Sequence, residues 1–192
     1  MTAKPLDALK LSTRIFYFLD NTLHGAENHI EDRLKRLIEG PDALPPGRAL
    51  DVGTGRVRQA AYLAEHGWDV VGVEQNPMAL KIARRRIAQR KLEPRIRLVE
   101  GPATQLATFV DGAFDLALDC MGPTSDLDLG RAQQVCRGID ERLKPGGTVL
   151  LCSWWEPEDV RSRTPAHWAL VDVERCQPKD RFKASFYRFR KG

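Results

Sequence analysis

The sequence predicts an α/β fold: a doubly wound, mostly parallel sheet of about seven strands, with helices on both faces and an antiparallel C-terminal strand. Three observations predict it. From residue 48 onward, short apolar runs closed by turn residues alternate with segments of helical period. The first of these runs, "RALDVG", opens into a glycine-containing loop and then a helix, the unit from which parallel sheets with buried faces are built. The tail breaks the alternation with two strand-like runs and no convincing helix between them.

The elements follow in order. "LSTRIFYFLDNTLHGAENHIEDRLKRLIEG" reads as two helical pieces broken near His24–Gly25. In the second piece Ile30, Leu34, Leu37 and Ile38 share one face, and Glu31/Lys35 and Asp32/Arg36 are spaced to pair at i,i+4 on the other. Gly40–Pro41 ends it, and "PDALPPG" is a rigid connector. Strand one is "RALDVG", and the helix "VRQAAYLAEHG" is stopped by Gly67. "DVVGVE" is strand two, "NPMALKIARRRIAQRK" a helix, "IRLVEG" strand three and "FDLALDC" strand four. "DLGRAQQVCRGIDERL" is a helix, "KPGG" a turn and "TVLLCSWW" strand five. "HWALVDVERCQ" and "KASFYRFRKG" close the sheet as an antiparallel pair.

Composition narrows the function classes. Apolar residues at 42% and charged residues at 29% are the balance of a soluble globular chain. No run approaches the roughly 18 apolar residues of a membrane span, and "MTAKPLDALKLSTR" lacks a signal-peptide core. Cys120, Cys136, Cys152 and Cys176 show no C-x-x-C spacing, so neither a metal site nor a disulfide framework is expected. A cytoplasmic protein follows. The net charge of +4 is modest, but "KIARRRIAQRKLEPRIR" concentrates basic residues. Leu80, Ala83 and Ile87 give that helix a buried stripe, which makes the arginines its solvated face. No aromatics are interleaved to stack on bases, so nucleic-acid binding is not expected.

The loop after strand one indicates a ligand. Gly53 and Gly55 let the backbone turn tightly and approach a bound molecule. Strand two ends in Glu74, twenty-one residues after Gly53, where a carboxylate accepts hydrogen bonds from both hydroxyls of a ribose. Val57 occupies the place of a third glycine, which disfavours a pyrophosphate, and no Walker lysine follows.

From about residue 47 to 151 the chain resembles the class I S-adenosylmethionine-dependent methyltransferases, especially small bacterial members acting on small molecules. "ALDVGTGR" resembles their first motif, "VVGVEQNPMALKIARRR" their second strand and following helix, and "FDLALD" their fourth strand. "LKPGGTVLL" is the most specific match, and "FYRFRKG" is similar to their last strand. The resemblance implies a Rossmann-like domain over 1–192, with a helical N-terminal lid (1–46), a cofactor-binding core (47–155) and closing strands (156–192). It implies that Asp51, Gly53, Thr54 and Gly55 border the methionine part of S-adenosylmethionine. Glu74 would bind the ribose, Gln75 would lie beside ribose and adenine, and Asp119 and Cys120 at the end of strand four would border the cofactor, Cys120 near the sulfonium. Family members often read G-D-A after strand three; here Pro102 replaces the aspartate, leaving adenine to the Ala103 backbone N–H and apolar contacts. Losing one charge-assisted hydrogen bond costs about 1.5–3 kcal/mol.

Methyl transfer is an in-line displacement, so the protein chiefly aligns a nucleophile and removes a proton where needed. Asp119 in "LDCMGPTSD" either handles a substrate heteroatom or is bonded to loop backbone. "CMGPT" lacks the Asn/Asp-Pro-Pro-aromatic signature of amino-methylating DNA and protein enzymes. In the lid segment Phe16, Tyr17, Phe18 and His24 are candidates to wall a pocket, with Tyr17 and His24 as candidate catalytic groups; Phe18 is read as core. His29 is expected in solvent and His66 in a structural role. Trp154 and Trp155 fall on the substrate side, one of them in the core. The expected activity is methyl transfer to a heteroatom of a small molecule, by a monomer or homodimer. The alternatives are an adenosylmethionine-binding protein with a non-methyl or partner-assisting role, an RNA methyltransferase, and a nicotinamide-binding protein, against which Val57 argues.

Overall fold

A computed structural model describes residues 32–174 and 185–192. Phe16, Tyr17, Phe18, His24, His29 and Cys176 lie outside the described residues. The strands are β1 (Arg48–Val52), β2 (Asp69–Glu74), β3 (Ile96–Glu100), β4 (Phe114–Cys120), β5 (Leu143–Ser153), β6 (Trp168–Glu174) and β7 (Ser185–Lys191). They form one sheet in the order β3-β2-β1-β4-β5-β7-β6. β1 to β5 pair in parallel, and β7 runs antiparallel between β5 and β6. The Rossmann-like, mostly parallel sheet with an antiparallel C-terminal strand is therefore as the sequence predicts.

The helices are α1 (Asp32–Glu39), α2 (Arg58–Glu65), α3 (Pro77–Arg90), α4 (Leu106–Phe109), α5 (Pro123–Asp126), α6 (Leu129–Arg142) and α7 (Pro157–Arg163). Strand alternation divides the core between two faces. Leu34, Leu37, Leu63 and Ile87 of α1, α2 and α3 pack on Leu116, Leu118 and Leu150. On the other face Val135, Cys136 and Ile139 of α6 pack on Val52, Phe114, Val149, Tyr187 and Phe189. In α3 the Asn76 side chain accepts from the Met78 N–H at 3.0 Å and Pro77 stands at the first turn, the two devices that start a helix. Its arginine run is the outer face: Leu80, Ala83 and Ile87 are buried, while Lys81, Arg84 and Arg85 are exposed.

Several local expectations are corrected. Glycine and proline in "KPGG" suggest a turn before the fifth strand, yet Leu143 already pairs with Phe114, and the ladder resumes at Leu116 and Thr148. Lys144–Gly147 therefore forms a bulge inside β5, with Gly146 at φ +72° and Lys144 paired to Asp115 at 2.7 Å. β5 stops at Ser153, before both tryptophans. A 3₁₀ turn (Ala103–Gln105), α4, α5 and α7 stand where no helix was expected, and each is too short for a hydrophobic period to declare itself. Arg36 pairs with Glu174 of β6 rather than along its own helix. With Arg33–Glu174 at 3.2 Å and Arg188–Asp172 at 2.8 Å, this network fastens α1 to the closing hairpin.

Candidate functional site

The parallel strands end on one edge of the sheet, and the loops there gather most of the residues singled out in the sequence. Beyond β1 the chain turns back on β2: the N–H groups of Gly53 and Thr54 both donate to the Val73 carbonyl, at 2.9 and 3.0 Å. Gly53 and Gly55 take φ of +72° and +53°, values that favour glycine. They differ in what surrounds them. A Cβ on Gly53 would stand 2.5 Å from Cδ of Pro123, whereas one on Gly55 would meet nothing closer than 3.9 Å. Gly53 is thus packed beneath the β4–α5 turn, and Gly55 borders open space.

Glu74 is the centre of this loop. Its Oε2 accepts the Gly55 N–H at 3.0 Å, and its Oε1 accepts those of Gln75 and Asn76 at 2.9 and 2.8 Å. The carboxylate is half-buried, and among the described residues these three backbone N–H groups orient it. Two oxygens offer about four lone-pair sites, so it retains accepting capacity for a ligand hydroxyl. The Glu74 carbonyl accepts the Gly101 N–H at 3.1 Å, which brings Pro102 and the buried Ala103 alongside. Gln75 is exposed, and the Met78 side chain is 63% exposed beyond it.

Beneath the loop, Asp51 is buried and its Oδ2 accepts the Thr54 hydroxyl at 2.6 Å. Burial pushes the Asp51 carboxyl up to about 6, and the Thr54 hydrogen bond opposes that shift. Thr54 in turn leans on Gly72 of β2, where any Cβ would meet it at 2.9 Å. Gly72 is a supporting residue that sequence reading missed; a glycine inside a strand is the available signal for such close approach.

Asp119 lies on the neighbouring strand and is completely buried. Its Oδ2 accepts the Thr124 N–H at 3.0 Å, while Oδ1 and the Thr124 hydroxyl have no partner among the described residues. Burial pushes this carboxyl up to about 7, with the Thr124 hydrogen bond working in the opposite direction. The side chain holds the turn into α5, and that turn presses on Gly53. Cys120, half-buried, ends β4.

Val57 has φ +58° and caps the start of α2 in the left-handed region, yet its side chain is buried in the core under the sheet. The third glycine position is therefore one of backbone conformation, and the valine does not stand in the mouth of the loop. His66 is held by the Tyr62 carbonyl at 2.7 Å and Glu39 at 3.0 Å, a structural role. Trp155 packs on the core with the Arg163 guanidinium 3.7 Å over its ring, while Trp154 is exposed and donates to the Ser125 carbonyl.

Residues 49–147 match the family model described as a methyltransferase domain. The chain belongs to the class I S-adenosylmethionine-dependent methyltransferases. It is 30% identical over 156 residues to an uncharacterized methyltransferase of Synechocystis sp., covering 75% of this chain and 70% of that relative. It is 32% identical over 133 residues to the ubiquinone biosynthesis O-methyltransferase of Xanthomonas campestris, covering 68% of this chain and 50% of that one. The chain thus spans only half the length of the Xanthomonas relative. The fold is shared with an S-adenosylmethionine-dependent methyltransferase from Clostridium acetobutylicum, at a TM-score of 0.72 and 13% identity over 94% of this chain and 99% of that one. S-adenosylmethionine is the methyltransferase cofactor, and the residues present fit it. Gly55 leaves an open cradle, Glu74 keeps lone pairs for hydroxyls, and the exposed Met78 offers apolar surface.

Proposed function

We propose that this methyltransferase transfers the S-adenosylmethionine methyl group to a heteroatom of a small molecule. The observation that carries the reading is the Glu74 carboxylate, oriented by three backbone N–H groups beside the open Gly55 turn. In this reading Glu74 holds the ribose hydroxyls, Gln75 flanks them, and Pro102 and Ala103 face the adenine. The bound sulfonium supplies an activated methyl group. Asp51 and Thr54 support the loop from below, beside the methionine part, and Cys120 lies toward the sulfonium. Asp119 acts as a positioning residue through the turn it holds. A proton acceptor is sought at Tyr17 or His24.

The small-molecule reading draws on two observations. The Xanthomonas relative is named for ubiquinone biosynthesis. The basic stretch of this chain is partly neutralised on its own surface, Arg90 by Glu65 and Arg95 by Asp69, each at 3.0 Å. Such pairing reduces what is left for RNA phosphates.

The test is calorimetric titration with S-adenosylmethionine, S-adenosylhomocysteine and NAD, followed by a screen of phenol, amine and thiol acceptors read by S-adenosylhomocysteine release. Binding of the first two, lost in Glu74→Ala, and turnover of a small acceptor are expected. Preference for NAD, or turnover only of RNA, would overturn the proposal.

A further inference from the structure

The ends of β4 and β5 bring two thiols side by side. Cys120 and Cys152 are Cα partners in the parallel register. Two residues earlier on each strand, Leu118 and Leu150 lie in the same core face. Alternation along a strand therefore turns both cysteine side chains to that face, and Cys120 packs against it. The Cys152 backbone is held by the segment that follows β4: its carbonyl accepts the Met121 N–H at 3.0 Å and the hydroxyl of Ser125 in α5 at 3.1 Å.

The spacing selects what joins them. Paired strands lie about 4.8 Å apart, and side chains in parallel register leave the sheet side by side, so their Cβ atoms keep roughly that separation. A disulfide needs a Cβ separation of about 3.5–4.5 Å. A single atom bonded to both sulfurs at about 2.3 Å each allows the sulfurs to stand up to about 4.6 Å apart. We propose that Cys120 and Cys152 form a dithiol site for a soft, thiophilic metal or metalloid centre, bridged through both sulfurs at the ligand-binding edge of the sheet. Soft centres prefer thiolate sulfur over the oxygen donors nearby. Cys120 is half-buried and makes the first bond; Cys152, only 2% exposed, closes the bridge. Cys136 is no competitor, because it is buried on the opposite face and burial pushes its thiol up to about 12.

A trivalent arsenical serves as the probe. Phenylarsine oxide reacts with two thiols to form two As–S bonds; the two S–H protons leave with the arsenic-bound oxygen as water, and no redox change occurs. Cys120 is among the residues proposed to border the cofactor, so the bridge should also lower S-adenosylmethionine affinity, roughly tenfold or more. Only that consequence rests on the proposed function.

The experiment is intact-mass measurement of the full chain treated with phenylarsine oxide in excess glutathione, followed by proteolysis to locate the arsenic. One arsenical per chain is expected, resistant to glutathione, removed by 2,3-dimercaptopropanol, and linking the Cys120 and Cys152 peptides. Cys152→Ser and Cys152→Ala should each abolish the adduct, and Cys176→Ser should retain it. No adduct, an adduct on other cysteines, or one that survives in both Cys152 variants would overturn the site. Peptide mapping of the unaltered chain decides the matter even where a variant fails to fold. It is also independent of cofactor binding, so a chain that binds no S-adenosylmethionine yet carries the bridge fails the functional reading alone.

Discussion

Glu74 and Asp119 stand near the ends of parallel strands on either side of β1, yet their surroundings are opposites. Glu74 is half-exposed and both its oxygens are occupied by backbone N–H groups of its own loop. Asp119 is sealed, with one amide on Oδ2 and nothing on Oδ1 among the described residues. A half-exposed carboxylate oriented by backbone N–H groups keeps open lone pairs that a ligand hydroxyl can use. In a completely buried one, desolvation outweighs the few hydrogen bonds from Thr124 and Gly122 that favour its charge, and it holds a proton toward neutral pH. In the proposed function the two acids divide the work of the edge: Glu74 would read the ligand, while Asp119 fixes the turn on which the loop at Gly53 rests.

The largest effect that tests this division is on cofactor affinity. Glu74→Ala removes charge-assisted hydrogen bonds worth about 1.5–3 kcal/mol each, so S-adenosylmethionine should bind roughly 100-fold or more weakly by calorimetry. Unchanged affinity would deny Glu74 its role. The two glycines sharpen the contrast. Gly53→Ala combines φ +72° with a Cβ 2.5 Å from Pro123 and should destabilise the fold by about 2–3 kcal/mol in urea unfolding. Gly55→Ala meets open space and should cost only about 1–2 kcal/mol of stability, while its methyl group obstructs the ligand. If both variants lost stability equally, the loop at Gly55 would be packed rather than open.

Asp119→Asn comes next, and its signature is a slope. The folded carboxyl titrates at about 7, above its ordinary value of 3.8, so between those pH values the folded state binds the proton more tightly than the unfolded state. The stability this contributes is fully present below about pH 4 and is lost as pH rises through 7. Asparagine does not titrate. The variant should therefore gain on the wild type from pH 5 to pH 8, by on the order of 2 kcal/mol. Asp51, at about 6, has the same sign but remains in both chains. Parallel profiles for the two proteins would show that Asp119 does not carry this proton.

The division between the acids was only half legible in the sequence. That Glu74 stands against the Gly53–Gly55 loop could be read from its spacing, which reflects βαβ geometry and is local and periodic. The sheet was legible for the same reason: Leu116, Leu118, Ala49 and Leu50 lie in apolar runs that only a strand covered on both faces explains. The state of Asp119 was left between two readings because burial depends on β1, β5 and the turn at Gly122, which are far apart in the chain. Thr124, Gly72 and the bulge at Lys144–Gly147 were missed on the same ground, since each answers to a neighbouring strand. Val57 was read as a statement about the ligand, and the structure makes it one about φ.

That last point gives the smallest prediction. Val57→Gly removes a β-branched residue from the left-handed region, relieving about 1–2 kcal/mol of strain. It also removes a side chain that is 1% exposed, worth about 1.5–3 kcal/mol of burial, and adds the entropic cost of glycine, about 0.5–1 kcal/mol. The losses outweigh the gain, so the urea midpoint should fall by an amount equivalent to roughly 1 kcal/mol with the slope unchanged. S-adenosylmethionine affinity should stay as it was, because the valine faces the core, away from the proposed ligand side of the loop. Tighter binding by the glycine variant would instead place Val57 at the ligand, and the loop could no longer be treated as read by Glu74 and merely supported from below.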